Sequence, residues 1–206
     1  MNRELIKRVL SSIILLPLVI YFIIKGSYYL IFFTIICFLV ALYEWNKMVK
    51  KINYKLLGVI FLIFSFYSFY ESTINYLWSF VFLVCVSTDI GGYVFGKFFK
   101  GPKLTKISPN KTYSGMIGGY FLSLILTSLY FSWLNHEVSI YLFISIILIS
   151  TVSQIGDITI SYFKRLSKIK NTGKIIPGHG GLLDRIDGMI FAFPFFYIIE
   201  MTGYLF

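Results

Sequence analysis

Long apolar runs, separated by short polar stretches rich in cations, extend along the whole chain, centred on residues 10–24, 28–43, 56–70, 75–96, 116–133, 139–160 and 188–206. Most are at or just below the length needed to cross about 30 Å of hydrocarbon as a helix, once interfacial Tyr and Trp are counted. The pattern predicts an all-α fold, a polytopic integral membrane helical bundle with about seven transmembrane helices. The N-terminal basic stretch and first run also have the outline of a signal peptide. No small-x-small cleavage site follows Lys25, and Gly26 and Ser27 lead straight into the next run, so the segment reads as a retained signal anchor.

Composition agrees with this pattern: 206 residues that are 57% hydrophobic, 20% aromatic and 14% charged are too apolar for an ordinary soluble domain. The net charge of +10 suggests a nucleic-acid partner until the cations are placed. Arg3, Lys7 and Arg8 precede the first run; Lys47, Lys50, Lys51 and Lys55 lie between the second and third. Lys97, Lys100, Lys103, Lys106 and Lys111 lie between the fourth and fifth, and Lys164, Arg165, Lys168, Lys170, Lys174 and Arg185 between the sixth and seventh. Of the 19 Lys and Arg, Lys25 alone falls on the opposite side. This asymmetry puts the N-terminus in the cytoplasm and turns the basic loops toward cytoplasmic anionic lipids, not toward nucleic acid. The localisation that follows is multi-pass in the inner (cytoplasmic) membrane. Cys37 and Cys85 lie inside apolar runs without metal-ligand spacing and read as packing residues.

The polar segment Ser161–Asp187 carries six cations, two carboxylates, four glycines and the second of two histidines at the edge of hydrocarbon. Charge held there is costly and marks a functional site. Asp157 closes the sixth run, and Ser161, Lys164, Arg165 and Lys168 follow it at spacings that share one helical face. A solvated basic helix extension is the plainer alternative. Pro177, Gly178, His179, Gly180 and Gly181 form a loop whose amides can approach an anion closely, although many such loops are simply turns. Asp184 and Asp187 stand three apart on the opening turn of the last helix, flanking Arg185. Capping of the helix dipole, about 0.3–1 kcal/mol each, explains one of them better than two. Asp157, Asp184 and Asp187 supply hard oxygen ligands for Mg²⁺, and the neighbouring cations supply partners for a polyphosphate. One histidine without partners makes no zinc site.

A second constellation lies at 87–119. Asp89, Gly92, Tyr93 and Gly96 share a helical face whose small residues admit a neighbouring helix or a ligand. Ser108 to Thr112 form a turn presenting Lys111 and two hydroxyls, with an ordinary surface loop as the plainer alternative.

The two constellations together resemble the phosphatidate cytidylyltransferase family. Its signature S-x-x-K-R-x4-K-D-x-G-x3-P-G-H-G-G-x2-D-R-x-D is matched at Ser161, Lys164, Arg165, Lys170, Gly173, Pro177 to Gly181, Asp184, Arg185 and Asp187. Its upstream patterns D-x-G-A-Y-x2-G and S-P-K-K-T-x-E-G are similar to Asp89–Gly96 and Ser108–Gly115. Asn171 stands where the signature has Asp, and Ser114 where the upstream pattern has Glu. The resemblance implies a membrane nucleotidyltransferase joining CTP and phosphatidate, with phosphatidate attacking the α-phosphorus directly. It implies Lys111, Asp157, Asp184 and Asp187 as catalytic residues. Asp157, Asp184 and Asp187 would hold Mg²⁺, and Asp89, Ser108, Lys164, Arg165, Lys170, Gly178, His179, Gly180, Gly181 and Arg185 would line the substrates. Residues 1–206 read as one membrane domain, with N-terminal spans in 1–80 and a catalytic region in 81–206. Membrane lipids are partners, and a homodimer is allowed. A CDP-alcohol phosphotransferase would want D-G-x2-A-R followed by D-x3-D, and a polyprenyl-phosphate sugar-phosphate transferase adjacent aspartates; the chain has neither. A transporter would place its polar residues in mid-span, whereas these gather at one membrane face.

Overall fold

The computed structural model describes residues 13, 17–74, 77–176, 178 and 180–202. Residues 17–25 are helical. Seven further helices follow: α1 (Ser27–Met48), α2 (Ile52–Ile74), α3 (Trp78–Phe99), α4 (Tyr113–Trp133), α5 (Ile140–Leu166), the single turn α6 (Leu183–Ile186) and α7 (Met189–Met201). Among the described residues there is no strand, and the all-α expectation holds. Among the described residues, five helices are long and apolar enough to cross a membrane, namely Tyr28–Met48 and α2 to α5. The chain is therefore a multi-pass membrane protein. Of the first expected span, 10–24, residues 17–24 are helical, and 10–12 and 14–16 lie outside the described residues. The last is the shorter α7, whose 13 residues include Pro194.

Two boundaries differ from the sequence reading for local reasons. Helix α5 continues past Asp157, as the shared face of Ser161, Lys164 and Arg165 requires, but it ends at Leu166, short of Lys168, expected on that face, which takes a left-handed φ of 56°. Asp184 and Asp187 do not share one helix. Asp187 lies in the turn between α6 and α7, where its Oδ1 accepts from the Gly188 amide at 3.0 Å. That local bond and a glycine's weak helix propensity interrupt the helix.

The chain divides into two compact units. The first comprises residues up to Thr73 together with Phe163–Ile186, and the second Ile74–Tyr162 with Asp187–Phe206. Residues Phe163–Ile186 thus fold with the N-terminal helices. In this first unit Trp45 organises the packing. Its Nε1 donates to the Lys55 carbonyl at 3.2 Å, and its ring meets Phe163 edge-on at 4.9 Å. Gly58 leaves room for the indole, since a Cβ there would lie 2.0 Å from it. Ser167 Oγ donates to the Met48 carbonyl at 2.6 Å, tying the end of α5 to the end of α1.

In the second unit α3 and α4 pack backbone to backbone. A Cβ on Gly91 would lie 2.3 Å from the Gly118 carbonyl, and one on Gly115 would lie 2.6 Å from the Gly92 carbonyl. Small residues let helices approach this closely where lipid offers no hydrophobic drive. The glycines of the 87–119 constellation are thus used for helix contact. Phe80 joins this pair to the rest of the unit, meeting Phe131 at 5.4 Å and Phe196 of α7 at 5.6 Å. Thr112 caps α4, its Oγ1 accepting from the Gly115 amide at 3.1 Å. Ser114, one of the two departures from the family pattern, donates to the Lys100 carbonyl at 2.7 Å and fastens the 100–112 loop.

Candidate active site

In the first unit the site begins with Lys164 near the end of α5. Its Nζ donates to Asp184 Oδ1 at 2.8 Å, and the two side chains are only 10% and 6% exposed. Asp184 Oδ2 accepts from the amides of Thr172 at 2.8 Å and Gly181 at 3.0 Å. Burial pushes this carboxyl up. The Lys164 ammonium and the two amides outweigh burial and hold the carboxyl below its ordinary value.

A residue that the sequence reading did not single out completes the arrangement. Glu44, on α1, has a side chain 0% exposed. Its Oε1 accepts from the Leu182 amide at 3.0 Å, and its Oε2 from the Leu183 amide and the Thr172 hydroxyl, both at 2.9 Å. The sequence did carry a signal: a carboxylate beside Trp45 at the end of an apolar run is as costly as the aspartates that drew notice. Its partners, however, are far away in the chain.

The glycine loop is shaped by these contacts. Ile176 and Gly180 exchange two backbone hydrogen bonds, at 2.9 and 3.1 Å. Gly178 and Gly180 take φ values of 77° and 91°, which only glycine adopts without strain. A Cβ at Gly180 would lie 2.7 Å from Asp184 Oδ2 and 3.3 Å from the Asn171 side chain. Of the amides expected to receive an anion, those of Gly180 and Gly181 are occupied, Gly180 donating to Ile176 and Gly181 to Asp184, and the next two, of Leu182 and Leu183, donate to Glu44. Pro177 and His179 lie outside the described residues. Arg165 donates to the Ile169 carbonyl at 3.2 Å and is exposed, as are Lys168, Lys170, Lys174 and Arg185. These cations, not the amides of Gly180 and Gly181, are the donors left at the surface of the segment.

The second unit holds the other expected residues. Lys111 Nζ forms an ion pair with Asp157 Oδ2, both half-buried, at 23% and 31% side-chain exposure. Ser161 reaches Asp157 Oδ1 one turn along α5, at 3.4 Å. Lys111 is set by its loop: its amide donates to the Ser108 carbonyl at 3.0 Å, and its carbonyl accepts from Leu104 at 2.8 Å. Ser108 meets Lys111 through its backbone carbonyl. Gly156 lies against the turn that carries Asp187, where a Cβ would come 2.9 Å from the Asp187 carbonyl oxygen. Asp89 is exposed on α3.

Within either unit, among the described residues, no three His, Cys, Asp or Glu side chains gather to hold a metal ion. Asp184 has three of its roughly four acceptor positions filled, whereas Asp157 keeps capacity on both oxygens. This donor set does not make an all-protein cage. The free capacity of Asp157 suits a hard divalent cation, which takes one or two carboxylates and completes its shell with phosphate oxygens and water.

The model of the cytidylyltransferase family matches residues 56–202. Over 150 residues the chain is 43% identical to the phosphatidate cytidylyltransferase of Staphylococcus aureus (strain COL), an alignment covering 70% of this chain and 57% of that protein. It is 38% identical over 212 residues to that of Rickettsia felis, covering 94% of this chain and 91% of the relative. With that of Rickettsia prowazekii it is 36% identical over 210 residues, at the same coverage. The chain thus spans a little over half the length of the staphylococcal relative and nine-tenths of the rickettsial ones. With Lys111, Asp157, Lys164, Asp184 and the glycine loop all inside the matched region, the chain belongs to the cytidylyltransferase family.

Proposed function

We propose that this chain is a membrane nucleotidyltransferase that converts CTP and phosphatidate to CDP-diacylglycerol and pyrophosphate in phospholipid biosynthesis. The observation that carries this reading is the loop 172–184, held in shape by two carboxylates and bordered by exposed cations, inside the region shared with relatives named phosphatidate cytidylyltransferase. An oxygen of the phosphatidate phosphate bonds to the α-phosphorus of CTP. The bond from that phosphorus to the bridging oxygen breaks, and pyrophosphate leaves. The protein need supply only position and charge.

Arg165, Lys170 and Arg185 would contact phosphate oxygens. Lys111 and Lys164, already paired, would orient Asp157 and Asp184. Mg²⁺ would be held by Asp157 and Asp187, and Asp184 would serve by holding the loop in shape. When bound, the ion neutralises polyphosphate charge. The basic loops would face the cytoplasm of an inner membrane, where CTP is supplied, and phosphatidate would enter from the bilayer.

Detergent-purified protein given CTP, phosphatidate and Mg²⁺ should release pyrophosphate and form CDP-diacylglycerol, identified by mass spectrometry. ATP in place of CTP, or EDTA, should abolish the product. Absence of product with CTP and Mg²⁺ refutes the reading.

A further inference from the structure

We propose that Glu44 is the positioning residue of the nucleotide loop, an inference that rests on the reading that residues 172–185 meet the phosphates of CTP. Glu44 belongs to α1, outside the signature that carries the family resemblance, yet its carboxylate is fully buried and all three of its hydrogen bonds go to that loop. A buried carboxylate is tolerated when its oxygens are met by donors, and here the loop provides every donor named.

Two loop residues touch both carboxylates at once. Thr172 donates its amide to Asp184 and its hydroxyl to Glu44. Gly181 donates its amide to Asp184, and a Cβ on it would lie 2.4 Å from Glu44 Oε2. Gly173 is under the same constraint, a Cβ there falling 2.4 Å from Glu44 Oε1. Two signature glycines are therefore small because Glu44 occupies the space beside them. The loop is clasped between α1 and Asp184, and its cations inherit their position from that clasp.

The pattern demands a carboxylate in particular. The Leu182 amide points at Oε1 and the Leu183 amide at Oε2. Glutamine has one acceptor oxygen and one NH₂ group, so whichever way it turns, its NH₂ faces a backbone N–H. Glu44→Gln keeps the volume and loses at least one anchor.

The test uses the full chain in detergent with two readouts. Hydrogen–deuterium exchange without nucleotide should be slow across 172–184 in the wild type and markedly faster in Glu44→Gln. In steady state the variant should raise the KM for CTP about tenfold, with kcat and the KM for phosphatidate within about threefold. Unchanged exchange overturns the inference. So does faster exchange with an unchanged KM for CTP and a kcat lowered in proportion to folded protein, the result for a residue that merely stabilises. Wild type without CTP turnover instead removes the underlying reading, and the inference with it. Should Glu44→Gln fail to fold, Thr172→Val removes one donor and leaves both amides in place. It should raise the KM for CTP about threefold, and an unchanged KM overturns the inference.

Discussion

Replacing Lys164 by Met tests the arrangement most directly, because it removes one charge from a pair that water barely reaches. The two side chains are 10% and 6% exposed, and their N–O distance is 2.8 Å. Breaking a buried pair by deleting one partner costs about 3–5 kcal/mol, since the remaining charge is left uncompensated. Asp184 would still accept from the amides of Thr172 and Gly181, which places the expected loss near the lower end, about 3 kcal/mol. For a chain of this length that corresponds to a fall in Tm of about 6–12 °C. Met fills most of the lysine's volume, so the loss reports charge and not a cavity. Scanning fluorimetry of purified wild type, Lys164→Met, Asp184→Asn and the double variant completes a cycle. The double variant should recover at least about 1.5 kcal/mol relative to the sum of the singles. If Lys164→Met melts with the wild type, or if the single losses simply add, the pair does not hold the loop and the argument fails.

The depressed carboxyl of Asp184 makes a related prediction about pH. Its folded-state value lies below the ordinary one, so its contribution to stability is complete above about pH 4 and is lost as pH falls through the folded value. The Tm gap between wild type and Asp184→Asn should narrow on acidification below about pH 4, and a gap that widens contradicts the sign. Asp157→Asn should lower CTP turnover by about 10²-fold or more while elution on size exclusion is unchanged; near wild-type turnover removes Asp157 from the chemistry. Gly91→Ala would press a Cβ to 2.3 Å from a backbone carbonyl, whereas at Gly92 the nearest atom is 3.7 Å away. Thermal melts should show the first losing about 1–3 kcal/mol and the second less than about 0.5 kcal/mol, and equal losses would contradict the packing described. A cysteine at position 174, with Cys37 and Cys85 replaced, should react with impermeant thiol reagent in inverted vesicles only, and labelling of intact cells would reverse the orientation.

What the sequence revealed and what it hid follow from the range of the interactions. Apolar runs made the spans legible because a span depends on its own composition. Lys164, Asp184 and the glycines stood out because cations, carboxylates and helix breakers crowd one segment. Glu44 was hidden because a single carboxylate in a long apolar helix shows its purpose only through Thr172, Leu182 and Leu183. The break at Asp187 and Gly188 was obscured by the evenly spaced aspartates, whose i, i+3 interval imitates a helical face while Asp187 bonds to the next amide instead. The upstream glycines admitted either a ligand or a helix, and only the approach of Gly91 to Gly118 decides for the helix.

The bond between Glu44 and Leu183 also orders events during synthesis. The carboxylate leaves the ribosome well over one hundred residues before its amide partners, and a contact of such sequence separation forms late. Until residues 172–183 have emerged, Glu44 has none of the donors that make its burial tolerable, so the membrane end of α1 must keep access to water or to the insertion machinery. Nascent chains stopped before Leu182 should therefore leave a cysteine at position 44 open to aqueous reagents, whereas the finished chain closes over it. The first compact unit is closed at that moment, when residues 172–183 fold back onto α1.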